Sequence, residues 1–155
     1  MRDNKERFGV EPQTYAMAGS LILPLGGVHY FFAILGGVAL WYGVSRLLNL
    51  AYLEDRKSIF TFGLLLAILG GMWAKYTLDN YSFNITRLLL TSLLSGFGLY
   101  LQSLCYTALA RVYHKELLEL GGILLVIGSA TFWFYIGFIP LSVGVILIVY
   151  SFWRW

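Results

Sequence analysis

The sequence predicts an all-α, polytopic transmembrane helix bundle, and three observations carry that prediction. Of the 155 residues, 59% are hydrophobic and only 12% are charged, against about 25% charged in an ordinary soluble domain. Mean hydropathy is +0.73. The few charges are also gathered: between Tyr15 and Trp153, long apolar stretches alternate with short charged ones, as in a chain that crosses a bilayer repeatedly. Finally, nine of the eleven Lys and Arg residues fall on one side once the crossings are counted. One bundle is expected over residues 15–155, preceded by a tail over residues 1–14.

That tail, "MRDNKERFGVEPQT", mixes both signs of charge, and no A-x-A site follows the apolar stretch after it, so it is expected to be retained rather than cleaved. Tyr15 to Leu50 then contains one charge, Arg46, in 36 residues. A single helix of that length would be ~54 Å long, against a hydrocarbon core of ~30 Å. Tilt does not absorb the excess, so the run must fold back, and "PLGGVHY" around Gly26-Gly27 is the natural break. The first segment, Tyr15 to about Gly27, is short enough to be either a crossing or a re-entrant half-helix.

Next comes "EDRK", residues 54–57, four consecutive charges read as a cytoplasmic loop that anchors a membrane boundary. Two ordinary spans follow, roughly Ile59 to Lys75 and Ile85 to Ala110. Leu117 to Trp153 is again too long for one helix, and Pro140 in "IGFIP" can begin a helix but not continue one. The plan is about six apolar segments: hairpin, central pair, hairpin.

Lys and Arg concentrate on the cytoplasmic side of membranes. With six crossings and the N-terminus inside, that side holds Arg2, Lys5, Arg7, Arg46, Arg56, Lys57, Arg111, Lys115 and Arg154, while Lys75 and Arg87 fall outside. A re-entrant first segment would move the first three outside and nearly erase the bias, which favours a true crossing. "HYFF" (29–32), "FWFY" (132–135), Trp73 and Tyr76 would mark the outer interface, and Trp153 and Trp155 the inner one. The hairpins also share a pattern. "AGSLILPLGGVHYFF" (18–32) and "LGGILLVIGSATFWF" (120–134) each carry small residues, a Gly seven positions on, then aromatics.

Three stretches carry a family resemblance: "AGSLILPLGG…FFAILGGVALWYGVSRLLNLAYLEDRKSIF", "ALARVYHKELLELGGILLVIGSA" and "YIGFIPLSVGVILIVYSF". With these the chain resembles the archaeal and bacterial integral membrane proteins of the domain-of-unknown-function 996 family. There a Gly-rich hairpin leads to a charged "D-x-SIF"-like loop and a second hairpin closes the chain. Here Asp55-Arg56-Lys57-Ser58-Ile59-Phe60 has one residue more between Asp and Ser. The resemblance implies a small polytopic membrane protein and brings no catalytic residues with it.

The residues themselves offer little chemistry. His29 and His114 are the only histidines, and the topology puts them on opposite faces, so they cannot share a haem iron. In "HKELLE", His114 and Glu119 are five apart, off one helical face, and the segment reads as a solvated helix start. Cys105 is the single cysteine, without a CxxC partner. No nucleophile elbow or phosphate loop is present, and no metal or other cofactor is expected. A net charge of +3, dispersed along the chain, gives no footprint for nucleic acid.

No acid or base lies at mid-membrane depth, where transport pathways usually keep one. Gln102 is the most polar group there, accompanied by Tyr42, Tyr100 and Ser103, and these are expected to hydrogen-bond between helices. Small residues at helical spacing offer packing surfaces instead. Gly63, Ala67 and Gly71 form a two-turn stripe, with shorter versions in Ala33 with Gly37, Ala39 with Gly43, and Ser92 with Gly96. Such stripes close the protein's own bundle or face another subunit. Asn80-Tyr81-Ser82 and Asn84-Ile85-Thr86 are glycosylation sequons in the expected outer loop, with Asn80 farther from the membrane than Asn84. The expectation is a non-catalytic, multi-pass cell-membrane protein with both termini cytoplasmic. It would be an accessory or structural subunit packing against partner helices, a second copy or lipid. The alternative is a small oligomeric transporter or channel for a neutral or apolar solute.

Overall fold

The computed structural model describes residues 11–80, 85–131 and 137–155. Arg2, Lys5, Arg7, Asn84, the Tyr81–Ser82 part of the first sequon and the "FWFY" cluster lie outside these residues. The described chain forms six α-helices: α1 (Pro12–Ile22), α2 (Tyr30–Leu50), α3 (Asp55–Asp79), α4 (Ile85–Tyr113), α5 (Glu116–Thr131) and α6 (Phe138–Trp153). Among the described residues there is no strand. Three stretches, Tyr30–Leu50, Asp55–Asp79 and Leu89–Tyr113, are long and apolar enough to cross a membrane.

Local chemistry sets the boundaries. Pro12 opens α1 at a position where its missing N–H costs nothing. Pro24 then removes a donor that the α-ladder needs, and the chain tightens into a 3₁₀ turn over Leu23–Gly27. His29 is extended and caps α2, its Nδ1 accepting from the Phe31 N–H at 3.1 Å. Pro140 lies in the first turn of α6, at the break expected in "IGFIP".

The charged tetrapeptide departs from expectation. Asp55, Arg56 and Lys57 belong to the first turn of α3, and the link from α2 shrinks to residues 51–54. The reason is the turn chemistry at the end of α2. Leu53 N–H reaches back to Leu48 O at 2.9 Å, with Tyr52 left-handed at φ 57°. This Schellman-type closure reverses the chain in four residues. The link between α4 and α5 is built likewise, Lys115 N–H bonding Ala110 O at 2.9 Å over a left-handed His114 at φ 54°.

Each helix packs on the next in sequence, and α6 returns to α1, so the six form a closed ring. Facing residues run in opposite directions. In the first hairpin Gly19 meets Leu40, Gly36 meets Leu23 and Gly43 meets Ala16; in the central pair Gly63 meets Gln102 and Gly70 meets Ser95. Antiparallel order brings the α2–α3 and α4–α5 links and the C-terminal end of α6 to one end of the ring. Arg46, Arg56, Lys57, Arg111, Lys115 and Arg154 gather there, whereas Lys75 and Arg87 lie toward the other end.

The interior differs along its length. Phe60, Tyr106, Phe152, Leu47, Leu48, Leu109 and Leu118 are fully buried near the cationic end. Phe60, Tyr106 and Phe152 stack edge to face there, with centroids 5.9 and 6.4 Å apart. Toward the opposite end the buried residues are small: Ser20, Ala33, Gly36, Gly70, Thr77, Thr91, Gly128 and Ser129. The outside is the reverse of a soluble protein. Val38, Leu93 and Ile146 are 61%, 70% and 63% exposed, while Gln102 is 1% exposed.

Candidate functional site

Of the α3 stripe, Gly63 and Ala67 lie against α4 and Gly71 does not. A side chain added at Gly98 of α4 would meet Ala67 N and Gly63 O at 2.5 Å, so Gly63 and Ala67 touch α4 backbone to backbone. Gly71 faces open space, and the glycine that continues the contact is Gly70, against Ser95. Helical geometry explains the correction: seven residues return within about 20° of the starting direction, whereas eight overshoot by about 80°. Gly98, on the facing helix, was missed because no small residue stands four positions from it in either direction.

The shorter pairs divide in the same way. Ala33 is buried against Gly26, and Gly43 lies on the α1 backbone, but Ala39 is only half-buried. Gly37 meets the Ile68 side chain of α3, and Gly96 faces Ser129 of α5, while Ser92, one turn earlier on α4, is half-buried. The small residues of α2 therefore serve two neighbours rather than one.

A repeated geometry links the hairpins. Gly19 and Gly26, seven apart, oppose Leu40 and Ala33, also seven apart. Gly121 and Gly128 oppose Ile148 and Leu141 with the same spacing. These are the glycines at matching positions in the two similar sequence segments. The backbones differ, since Gly26 sits in the 3₁₀ turn and Gly128 in α5.

The four polar residues do not share a site. Gln102 is buried and its Nε2 donates to Gly63 O of α3 at 3.5 Å, the long end of hydrogen bonding. Ser103 turns toward Gly122 of α5 and donates to Tyr100 O of its own helix at 2.7 Å. Tyr100 and Tyr42 are exposed, Tyr100 beside Phe97 and Tyr42 edge-on to Tyr15 at 4.9 Å. A sequence places all four at similar depth; which side of the helix each occupies depends on the neighbours. Most buried hydroxyls are satisfied locally, as in Ser20 to Ala16 O and Thr77 to Trp73 O. Ser45 Oγ alone has no partner among the described residues.

Cations at the ends of the ring rest on aromatic rings, a feature that residue types alone do not reveal. Arg46 lies over Tyr42, Lys57 over Trp41, Lys75 over Tyr30, Lys115 over Trp155 and Arg154 over Tyr150, at 5.5–5.8 Å from the centroids. Such contacts hold a charged head at the edge of an apolar body. The α2–α3 seam adds a direct bond, Trp41 Nε1 donating to Thr61 Oγ1 at 2.9 Å. A cleft of about 510 Å³ opens between the α4–α5 link and the end of α6.

His29 and His114 stand at opposite ends of the ring, the first as a helix cap and the second in the α4–α5 link. Asn80 is exposed at the end of α3, its Nδ2 donating to Tyr76 O at 2.8 Å. Among the described residues no three His, Cys, Asp or Glu side chains come together as a metal site. No protein-family model, curated protein or solved structure matches the chain.

Proposed function

We propose that this chain is a six-span membrane protein with both termini cytoplasmic. It acts without catalysis, as an accessory or structural subunit that packs against partner helices or lipid in the cell membrane. The inverted distribution of polarity carries this reading: large apolar side chains cover the outside while Gln102, Thr91, Ser151 and Ser45 are buried. Water does not tolerate so continuous an apolar surface, and lipid does. The clustering of Arg46, Arg56, Lys57, Arg111, Lys115 and Arg154 at one end supports the orientation. The likeness to the domain-of-unknown-function 996 family is part of the same proposal.

Ser58 and Asn80 test it, since both are exposed and lie near opposite ends of α3. With Cys105 replaced, a cysteine at position 58 should label only from the cytoplasm and one at position 80 only from outside. Labelling of both from one face would overturn the crossing count. Recovery of defined membrane partners in mild detergent would support the subunit role. Recovery of the chain alone, with solute flux in vesicles, would transfer the proposal to the transporter reading.

A further inference from the structure

We propose that the cleft between the α4–α5 link and the last turn of α6 binds the phosphodiester of an anionic membrane lipid. The proposal rests on the membrane reading above. The link contributes His114 and Lys115, the first turn of α5 Glu116 and Leu117, α6 Tyr150 and Ser151, and the residue that follows α6 contributes Arg154. Two ring-supported cations, Lys115 and Arg154, line this one opening. Lys57 lines another depression, but with Glu54 as its charged companion.

Both cations are held ready. Lys115 Nζ donates to Arg154 O at 2.8 Å, which uses one of its three protons and leaves two for a ligand. The Arg154 guanidinium lies 5.5 Å from the Tyr150 ring centre, and its in-plane N–H groups form the fork that matches phosphate oxygens. Neither cation has a carboxylate within ion-pair distance among the described residues. Glu116 is the one acid in the lining and opposes an anion there, but it is outnumbered.

The apolar side of the cleft selects lipid over free phosphate. Leu117 leads along α5 to exposed Leu120 and Ile123, and Tyr150 leads along α6 to exposed Ile146 and Val143. These tracks run away from the cationic rim toward the middle of the ring, where acyl chains would lie. Free phosphate would use only the rim. Basic pockets between helices on the cytoplasmic side are suited to anionic headgroups for these electrostatic reasons.

Native mass spectrometry of the full chain, released from nanodiscs of mixed phosphatidylglycerol and phosphatidylcholine, tests the proposal. Wild type should retain phosphatidylglycerol over phosphatidylcholine by roughly thirtyfold, from two cations at about 1 kcal/mol each. Lys115→Gln with Arg154→Gln should abolish that preference, and Arg154→Gln alone, which keeps the Lys115 bond, should reduce it. Arg46→Gln with Lys57→Gln should leave it unchanged. Equal loss in that control, or no loss in the cleft variant, overturns the site. Displacement of the lipid by millimolar inorganic phosphate overturns the lipid as occupant. Extraction of wild type from membranes by alkaline carbonate would instead defeat the membrane reading itself.

Discussion

The two halves of the ring cohere by different means. At the cationic end large side chains interdigitate: Phe60 from α3, Tyr106 from α4, Leu118 from α5, Phe152 from α6 and Leu47 from α2 all vanish from the surface together. Toward the other end the buried residues are glycine, serine, threonine and alanine, so the backbone contacts that Gly43 and Gly63 also make nearer the cationic end are there the main means of packing. The first half is filled and the second is fitted. Truncation should therefore damage the first and enlargement the second. On the membrane reading proposed above, neither half gains from expelling water between helices, so close van der Waals contact has to be reached by one route or the other.

Tyr106→Ala should have the largest effect, because it removes the ring that touches both Phe60 and Phe152. A loss of ~3–5 kcal/mol is expected from an aromatic cavity, read as a lower unfolding midpoint in detergent. Retention of wild-type stability would mean that the filled half is not the cohesive one.

Ala67→Leu comes next. Ala67 meets Gly98, so a branched side chain must separate α3 from α4. Overpacking typically costs ~1–3 kcal/mol, and thermal stability and yield should fall together. Gly71→Leu, four residues on, enters open space and should leave stability within ~0.5 kcal/mol. Equal effects from the two would erase the distinction between contact face and outer face. Loss of association with stability intact, in the Ala67 variant, would show that the surface serves a partner.

Trp41→Phe sharpens the comparison at the α2–α3 seam. It removes the indole N–H to Thr61 and weakens the seat of Lys57 while preserving most of the apolar volume. A decrease of ~0.5–1.5 kcal/mol is expected, accompanied by faster proteolysis at the α2–α3 link. The smallest effect has the opposite sign. Tyr52 is 93% exposed and left-handed at φ 57°, a conformation that glycine adopts without the side-chain penalty of ~1 kcal/mol. Tyr52→Gly should raise the unfolding midpoint slightly; a fall would show that the Tyr52 side chain makes a stabilising contact.

Some of this was legible before any coordinates. The breaks at Gly26-Gly27 and before Pro140 follow from local propensity and from the limited length of a crossing. The matching glycines of the two hairpins also stood out as a pattern. The charged tetrapeptide misled because charge marks a membrane boundary without saying whether the backbone there is coiled. The 48–53 hydrogen bond makes the turn so short that Asp55 already begins a helix.

Composition and charge order, then, determine by themselves that the chain is helical and apolar and which links carry the cations, since these are sums over residues or properties of single turns. Facing partners are a different matter. Gly70 rather than Gly71, Gln102 toward Gly63 and Ser103 toward Gly122, and the meeting of Lys115 with Arg154, were decided only by the tertiary structure. A helix offers every azimuth to a possible neighbour, and an error of one residue rotates the direction by about 100°. Only the closure of the ring, with each helix held between two others, selects which azimuth is inside.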